Sequence, residues 1–349
     1  MRRRSRGRGG FGRLFTVVAI TQAAGCALSP QLRHTAAVQG DVVPVHDPAI
    51  IRAGNLYHLF ATGHLSQKTG MLPWRTSEDL VHWRFRGAAF PELPGWTGET
   101  VPGARGLWAP DIIRVGGEYR LYYSVSTFGK NQSAIGLATA ARLDPEMPSA
   151  WTDKGPVIAS TGADDFNAID PNAFVDRDGR QWLVFGSFWS GLKLVELDPA
   201  TGLRKFGAAP VSLARRPVPG AIEAPFLIRR GGFYYLFASF DFCCRKLDSS
   251  YYTVVGRART VQGPYADRSG RTMLDGGGSV VLHADLEPEG RWRGPGHVAI
   301  LRGRPDRIVF HAYDAHNEGA STLQVRALDW TRDGWPVVRD YSKDIPLIP

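Results

Sequence analysis

Three acidic residues open strand-like apolar runs in this chain: Asp47 in "HDPAII", Asp170 in "IDPNAF" and Glu223 in "IEAPFLI". Asp before Pro is a common turn starter, but Glu has little turn preference and here precedes an apolar run. Carboxylates gathered in a partly desolvated pocket cannot all stay ionised at their usual pKa. One is pushed up and can act as a general acid, while another stays charged and can act as a base. Cleavage of a glycosidic bond with direct attack by water needs such a pair, its carboxyls about 6.5–9.5 Å apart. His46, Trp108 and His297 stand at similar openings. An indole at a channel mouth is suited to stack on a sugar ring.

Five copies of one phrase carry these residues. They begin at Val45, Leu107, Ala168, Gly220 and, in a worn form, Gly296. Each runs from an acid or small residue through Pro into about four apolar residues, a Gly-containing turn and an aromatic-rich segment. In three copies Pro and Tyr stand nine residues apart: Pro48 and Tyr57, Pro110 and Tyr119, Pro225 and Tyr234. That register reads as a β-hairpin. The third copy, with "DRDGRQ", has a turn two residues longer. The intervals between copies hold two further strand-like pieces each. Four-stranded repeats of this length predict an all-β, five-bladed β-propeller. The first strand of each blade then lines a central channel, with the openings His46-Asp47, Trp108-Ala109, Ile169-Asp170, Glu223-Ala224 and His297-Val298 converging at one end.

Composition agrees with that reading. Forty Gly, 24 Pro and 38 Phe, Trp and Tyr in 349 residues suit a turn-rich β protein. No apolar run reaches the length of a membrane span. The first 26 residues hold a basic start followed by a short apolar stretch, the layout of an export signal. "AAGC" loosely resembles a lipobox, which would make Cys26 a lipid-modified first residue at the cell surface. Without residues 1–26 the net charge falls from +9 to +3. The remainder is scattered, and no basic stripe supports nucleic-acid binding. We expect a linker at 27–37 and one catalytic propeller at 38–349, monomeric and exported. Cys243 and Cys244 are neighbours, too close for an ordinary disulfide, so two semi-buried thiols on a strand are expected, a strained vicinal ring being the rarer alternative.

The motifs "HDP", "WAPDI", "STFGKNQSAIGLAT", "NAIDPNAF", "GSFWSG", "IEAPF", "FDFCC" and "GPGH" resemble those of the endo-1,5-α-L-arabinanases in glycoside hydrolase family 43, over roughly residues 40–349. The resemblance implies a five-bladed propeller and inverting hydrolysis of plant cell-wall arabinan. It implies Asp47 as general base, Glu223 as general acid, and Asp170 as the residue that tunes and holds the acid. An axial metal, generally calcium, would sit at His297, although that hard cation prefers oxygen ligands. His46, Trp108, Phe128, Gly129, Asn167, Ser187, Phe188 and Trp189 would contact substrate. Two alternatives stay open. One is an exo-acting arabinofuranosidase or β-xylosidase of the same family, which would typically carry a further domain closing the cleft. The other is a non-catalytic sugar-binding propeller, which has no need of three axial carboxylates.

Overall fold

The computed structural model describes residues 37–341. The expected export signal, Cys26 and all but the last residue of the linker lie outside them. Within them, 22 strands form five sheets, two of five strands and three of four. The four-stranded blades start at Ala49, Gly106, Asn172, Ile222 and Trp292. Two short strands supply the extras: Gln39–Gly40 on blade I and Gly63–His64 on blade II. The fold class is the one expected.

The hairpins form where glycine allows it. Gly54-Asn55, Gly116-Gly117 and Gly231-Gly232 each close the first hairpin of a blade. Left-handed φ angles of 59° to 100° at Gly54, Gly116 and Gly117 suit two-residue turns that match strand twist. Blade III instead uses five residues, 176–180, between Val175 and Gln181.

Alternating apolar residues bury one face of each sheet against the next. Five separate core clusters result, one at each junction between neighbouring blades. Trp74, Phe60 and Leu107 belong to the junction of blades I and II, and Phe237, Tyr235 and Phe310 to that of IV and V. Val45, Leu59 and Trp83 meet Val309 and Leu323 across blades I and V, which closes the ring. The N-terminal segment fastens it. Val45 N–H donates to Ser321 O, and Leu323 N–H donates to Val42 O, both at 3.0 Å. The first strands of successive blades contact one another around a closed circle. A channel lies on that axis.

Candidate active site

Each first strand enters the channel through a kink. Asp47, Ala109, Asp170, Ala224 and His297 all have left-handed φ, between 43° and 57°. For a non-glycine residue this costs about 1–2 kcal/mol, and four of the five also precede Pro, which restricts them further. In blades II, IV and V the ladder skips two residues there, a β-bulge. A bulge re-aims side chains at a sheet rim, so both the left-handed residue and the one before it face the mouth.

The neighbouring blade holds each kink. Asp47 N–H donates to His311 Nδ1 (3.2 Å), Ala109 N–H to Thr62 Oγ1 (2.8 Å), Asp170 N–H to Ser124 Oγ (2.9 Å) and His297 N–H to Ser239 Oγ (3.0 Å). Blade III breaks the pattern, because Gly186 follows Phe185 where the others place an acceptor side chain. Ala224 N–H donates instead to the carboxylate of Asp170 at 3.1 Å. Ser187, one residue further on, donates to Glu223 Oε2 at 2.8 Å.

This geometry corrects the alignment of the fifth opening. His297, with φ 51°, matches Asp47 and not His46. Gly296 takes the place that His46 and Glu223 occupy in their blades. A Cβ on Gly296 would meet the Tyr251 ring at 2.2 Å, so only glycine fits. Val298 stands where the other copies have Pro.

The three carboxylates then diverge. Asp47 is gripped on both oxygens. Oδ1 faces His46 Nδ1 at 2.8 Å and His297 Nδ1 at 3.1 Å, and Oδ2 accepts from Thr62 Oγ1 at 2.5 Å. Burial alone would raise its pKa, but the imidazoles of His46 and His297 outweigh that and hold it well below the usual range. Asp47 is ionised throughout the neutral range. Burial raises Glu223, against the opposing hydrogen bonds of Ser187 and Tyr251, and the charge of Asp47 raises it further. Burial pushes Asp170 up to about 8, opposed by His297 and reinforced by Glu223. Glu223 and Asp170 titrate as a pair that retains a proton near neutrality. His297 is itself pushed up to about 9: burial opposes its charge, but Asp47, Asp170 and Glu223 all favour it.

The other expected contact residues line or border this end. Asn167 is only 3% exposed and its Oδ1 has no partner. The Trp108 Nε1 is likewise buried and unpaired. Phe128 is 83% exposed beside Gly129, on the loop after blade II's second strand, and Trp189 is 44% exposed. Phe188 lies 5.9 Å from Phe242, ring to ring. At the opposite end of the channel, a cavity of about 710 Å³ includes Asp111, Asn172, Arg114, Arg229 and Arg302 in its walls. Asp111 there is bonded to Asn172 and to Ala173 N–H, and the other acid of these walls, Asp176, accepts from Tyr234 Oη.

The motif reading did not single out Thr62, Ser124, Ser239, Tyr251, His311 or Tyr313. It also misjudged the cysteines. Cys243 and Cys244 are bonded to each other, with Cα atoms 3.8 Å apart, and they lie in the turn after the strand Phe233–Phe240. Cys244 carries a left-handed φ of 68°, a turn conformation that accommodates the eight-membered ring a strand would not.

A model of glycosyl hydrolases family 43 matches residues 42–336. An extracellular endo-α-(1→5)-L-arabinanase from Bacillus subtilis is 41% identical, over 84% of this chain and 87% of that protein. An extracellular exo-α-(1→5)-L-arabinofuranosidase from Cellvibrio japonicus is 42% identical, over 86% and 88%. The solved α-L-arabinanase of Cellvibrio cellulosa complexed with arabinohexaose superposes with a TM-score of 0.79 at 40% identity, covering 86% of this chain and 96% of that one. A match spanning nearly the whole propeller, together with relatives more than 40% identical over most of their length, fixes the assignment: the chain belongs to glycosyl hydrolase family 43.

Proposed function

We propose that this glycoside hydrolase cleaves internal bonds of α-1,5-linked L-arabinan by a single displacement with inversion. The observation that carries the reading is the split between Asp47, held ionised, and Glu223, pushed toward its protonated form, in one mouth. In this reading Asp47 takes a proton from the water that attacks the anomeric carbon. Glu223 gives its proton to the departing glycosidic oxygen. Asp170 keeps that proton available, since its charge and that of Glu223 oppose each other. Trp108 and Asn167 border the sugar, Phe188, Trp189 and Phe128-Gly129 extend the contact along the groove, and His46, with both nitrogens engaged by Asp47 and Tyr313, positions the base. Ser187 holds the acid's carboxyl in place.

The axial cation belongs at His297. With Nδ1 bonded to Asp47, Nε2 is the nitrogen left to take an ion, and water would complete the shell of a hard cation such as calcium. The surroundings fit a cation, because Asp47 lies 3.1 Å from this imidazole and Asp170 and Glu223 share the mouth; the ion would take the place of the proton on Nε2. When bound, the ion would supply charge beside the reacting sugar. Elemental analysis of purified protein before and after chelation tests for it.

Both curated relatives above are extracellular, which supports export by residues 1–26 and arabinan as an environmental substrate. The exo reading has its own support in the equally similar exo-acting relative. Hydrolysis of debranched arabinan, with products sized and their anomers followed by NMR, decides between them. Early oligosaccharides of inverted configuration are expected. Arabinose alone would establish an exo mode, and retained configuration would overturn the single displacement.

A further inference from the structure

We propose that the Cys243–Cys244 disulfide is a positioning device for the base, acting through Tyr313 and His46. The inference rests on the reading of Asp47 as general base. A disulfide between neighbours closes eight atoms, and two of them are the carbonyl carbon of Cys243 and the amide nitrogen of Cys244. The peptide between the cysteines is therefore locked into the ring.

That same amide makes the contact that matters. Cys244 N–H donates to Tyr313 Oη at 2.8 Å, and Tyr313 Oη lies 2.8 Å from His46 Nε2. A backbone N–H can only donate, so the phenol oxygen accepts there. With one lone pair engaged by that amide, Tyr313 turns its own hydrogen to its other partner, His46 Nε2. His46 then carries its proton on Nδ1, 2.8 Å from Asp47 Oδ1. Stacking on His311, with ring centroids 3.7 Å apart, holds the imidazole plane, and Cys244 Sγ rests 3.9 Å from Nε2. The relay thus sets the tautomer as well as the direction of one of the hydrogen bonds on the base.

Reduction adds two electrons and two protons and yields two thiols. The peptide regains its freedom, and a non-glycine residue at φ 68° has reason to leave that conformation. Tyr313 loses a donor, its hydrogen is no longer committed to His46, and Asp47 loses alignment. Such a fault lowers kcat while leaving substrate affinity alone, because small misplacements of a reacting group act on the chemical step.

The experiment compares kcat and KM on debranched arabinan for four proteins: wild type, Cys243→Ala/Cys244→Ala, Tyr313→Phe, and the triple variant. We expect the first two variants each to lower kcat about tenfold, with KM within twofold of wild type. The triple variant should be no slower than Tyr313→Phe alone. Dithiothreitol should slow wild type reversibly, with recovery on reoxidation, and leave Tyr313→Phe unaffected. A cysteine variant with both wild-type kcat and the wild-type His46 tautomer, or losses that multiply in the triple variant, would overturn the relay. Imidazole ¹⁵N spectra separate the two ways to fail. If reduction leaves the His46 tautomer unchanged, the relay is wrong. If the tautomer changes and kcat does not, the relay stands and the assignment of Asp47 as base falls.

Discussion

Blades I and IV open on the same phrase, yet their acids are prepared for opposite work. Asp47 sits at the left-handed position itself and receives hydrogen bonds on both oxygens. Glu223 sits one residue earlier, with Ser187 and Tyr251 as its partners and another acid, Asp170, in its field. Burial is common to both and does not separate them. What separates them is the neighbour: two imidazoles beside one, a carboxylate beside the other. A repeat protein can therefore build an acid and a base from one backbone by changing what the adjoining blade presents.

The largest test of that contrast removes each acid in turn. Glu223→Gln and Asp47→Asn should each lower kcat on arabinan by about 10³–10⁴-fold, with unchanged circular dichroism. An aryl arabinofuranoside tells them apart, since a good leaving group needs no proton. Glu223→Gln should recover to within about tenfold of wild type on it, and Asp47→Asn should not. Equal recovery would mean that the two carboxyls do not differ in role.

A smaller effect is expected at Asp170. Asp170→Asn should cost about 10–100-fold in kcat. It also removes the charge that opposes ionisation of Glu223. The acid then loses its proton more readily, and the basic limb of the kcat profile moves to lower pH. Stability changes in the other direction. A carboxyl raised to about 8 in the folded state contributes least once it is ionised, so wild-type stability falls as pH rises from the ordinary carboxylate pKa toward 8. Asp170→Asn escapes that loss. Its melting temperature should exceed wild type by about 2–4 °C at pH 8, with the difference gone by pH 4. A difference that does not vary with pH would mean the effect is packing.

Thr62→Val takes one grip from Asp47 Oδ2 and from Ala109 N–H. We expect about a tenfold loss of kcat, largely restored by Thr62→Ser. Least of all, Phe128→Ala should raise KM about two- to threefold with kcat intact, because the ring is exposed and touches only what binds. A change in kcat there would bring the loop into the chemistry.

Much of the architecture was legible because each blade repeats its Pro, its turn and its aromatic strand. Asp47, Asp170, Glu223 and His297 were legible for the same reason, and the structure brings them into one electrostatic cluster. The fifth opening slipped by one residue because Val298 replaced the Pro that marked the others. The acceptors that secure the kinks left a faint trace: Thr62, Ser124 and Ser239 each stand 14 residues after their blade's Pro. Hydroxyls are common at strand ends, so spacing alone could not have selected them. His311 and Tyr313 left none, since their partners lie more than 260 residues away for His46 and Asp47. Adjacent cysteines resist bonding to each other on an extended strand, and the left-handed turn at Cys244 is not legible in the two letters "CC".

The strap that closes the ring has a bearing on how the protein comes to life. Val45, bonded to Ser321 of the last blade, is followed at once by His46 and Asp47. The stacking of His46 on His311 belongs to the same seam. During folding, an open chain of four docked blades would hold Glu223 and Asp170 in place yet leave the base unanchored. The last blade must arrive before the first can work. Recovery of activity on refolding should therefore lag behind the bulk of strand formation and coincide with the final docking of the two ends.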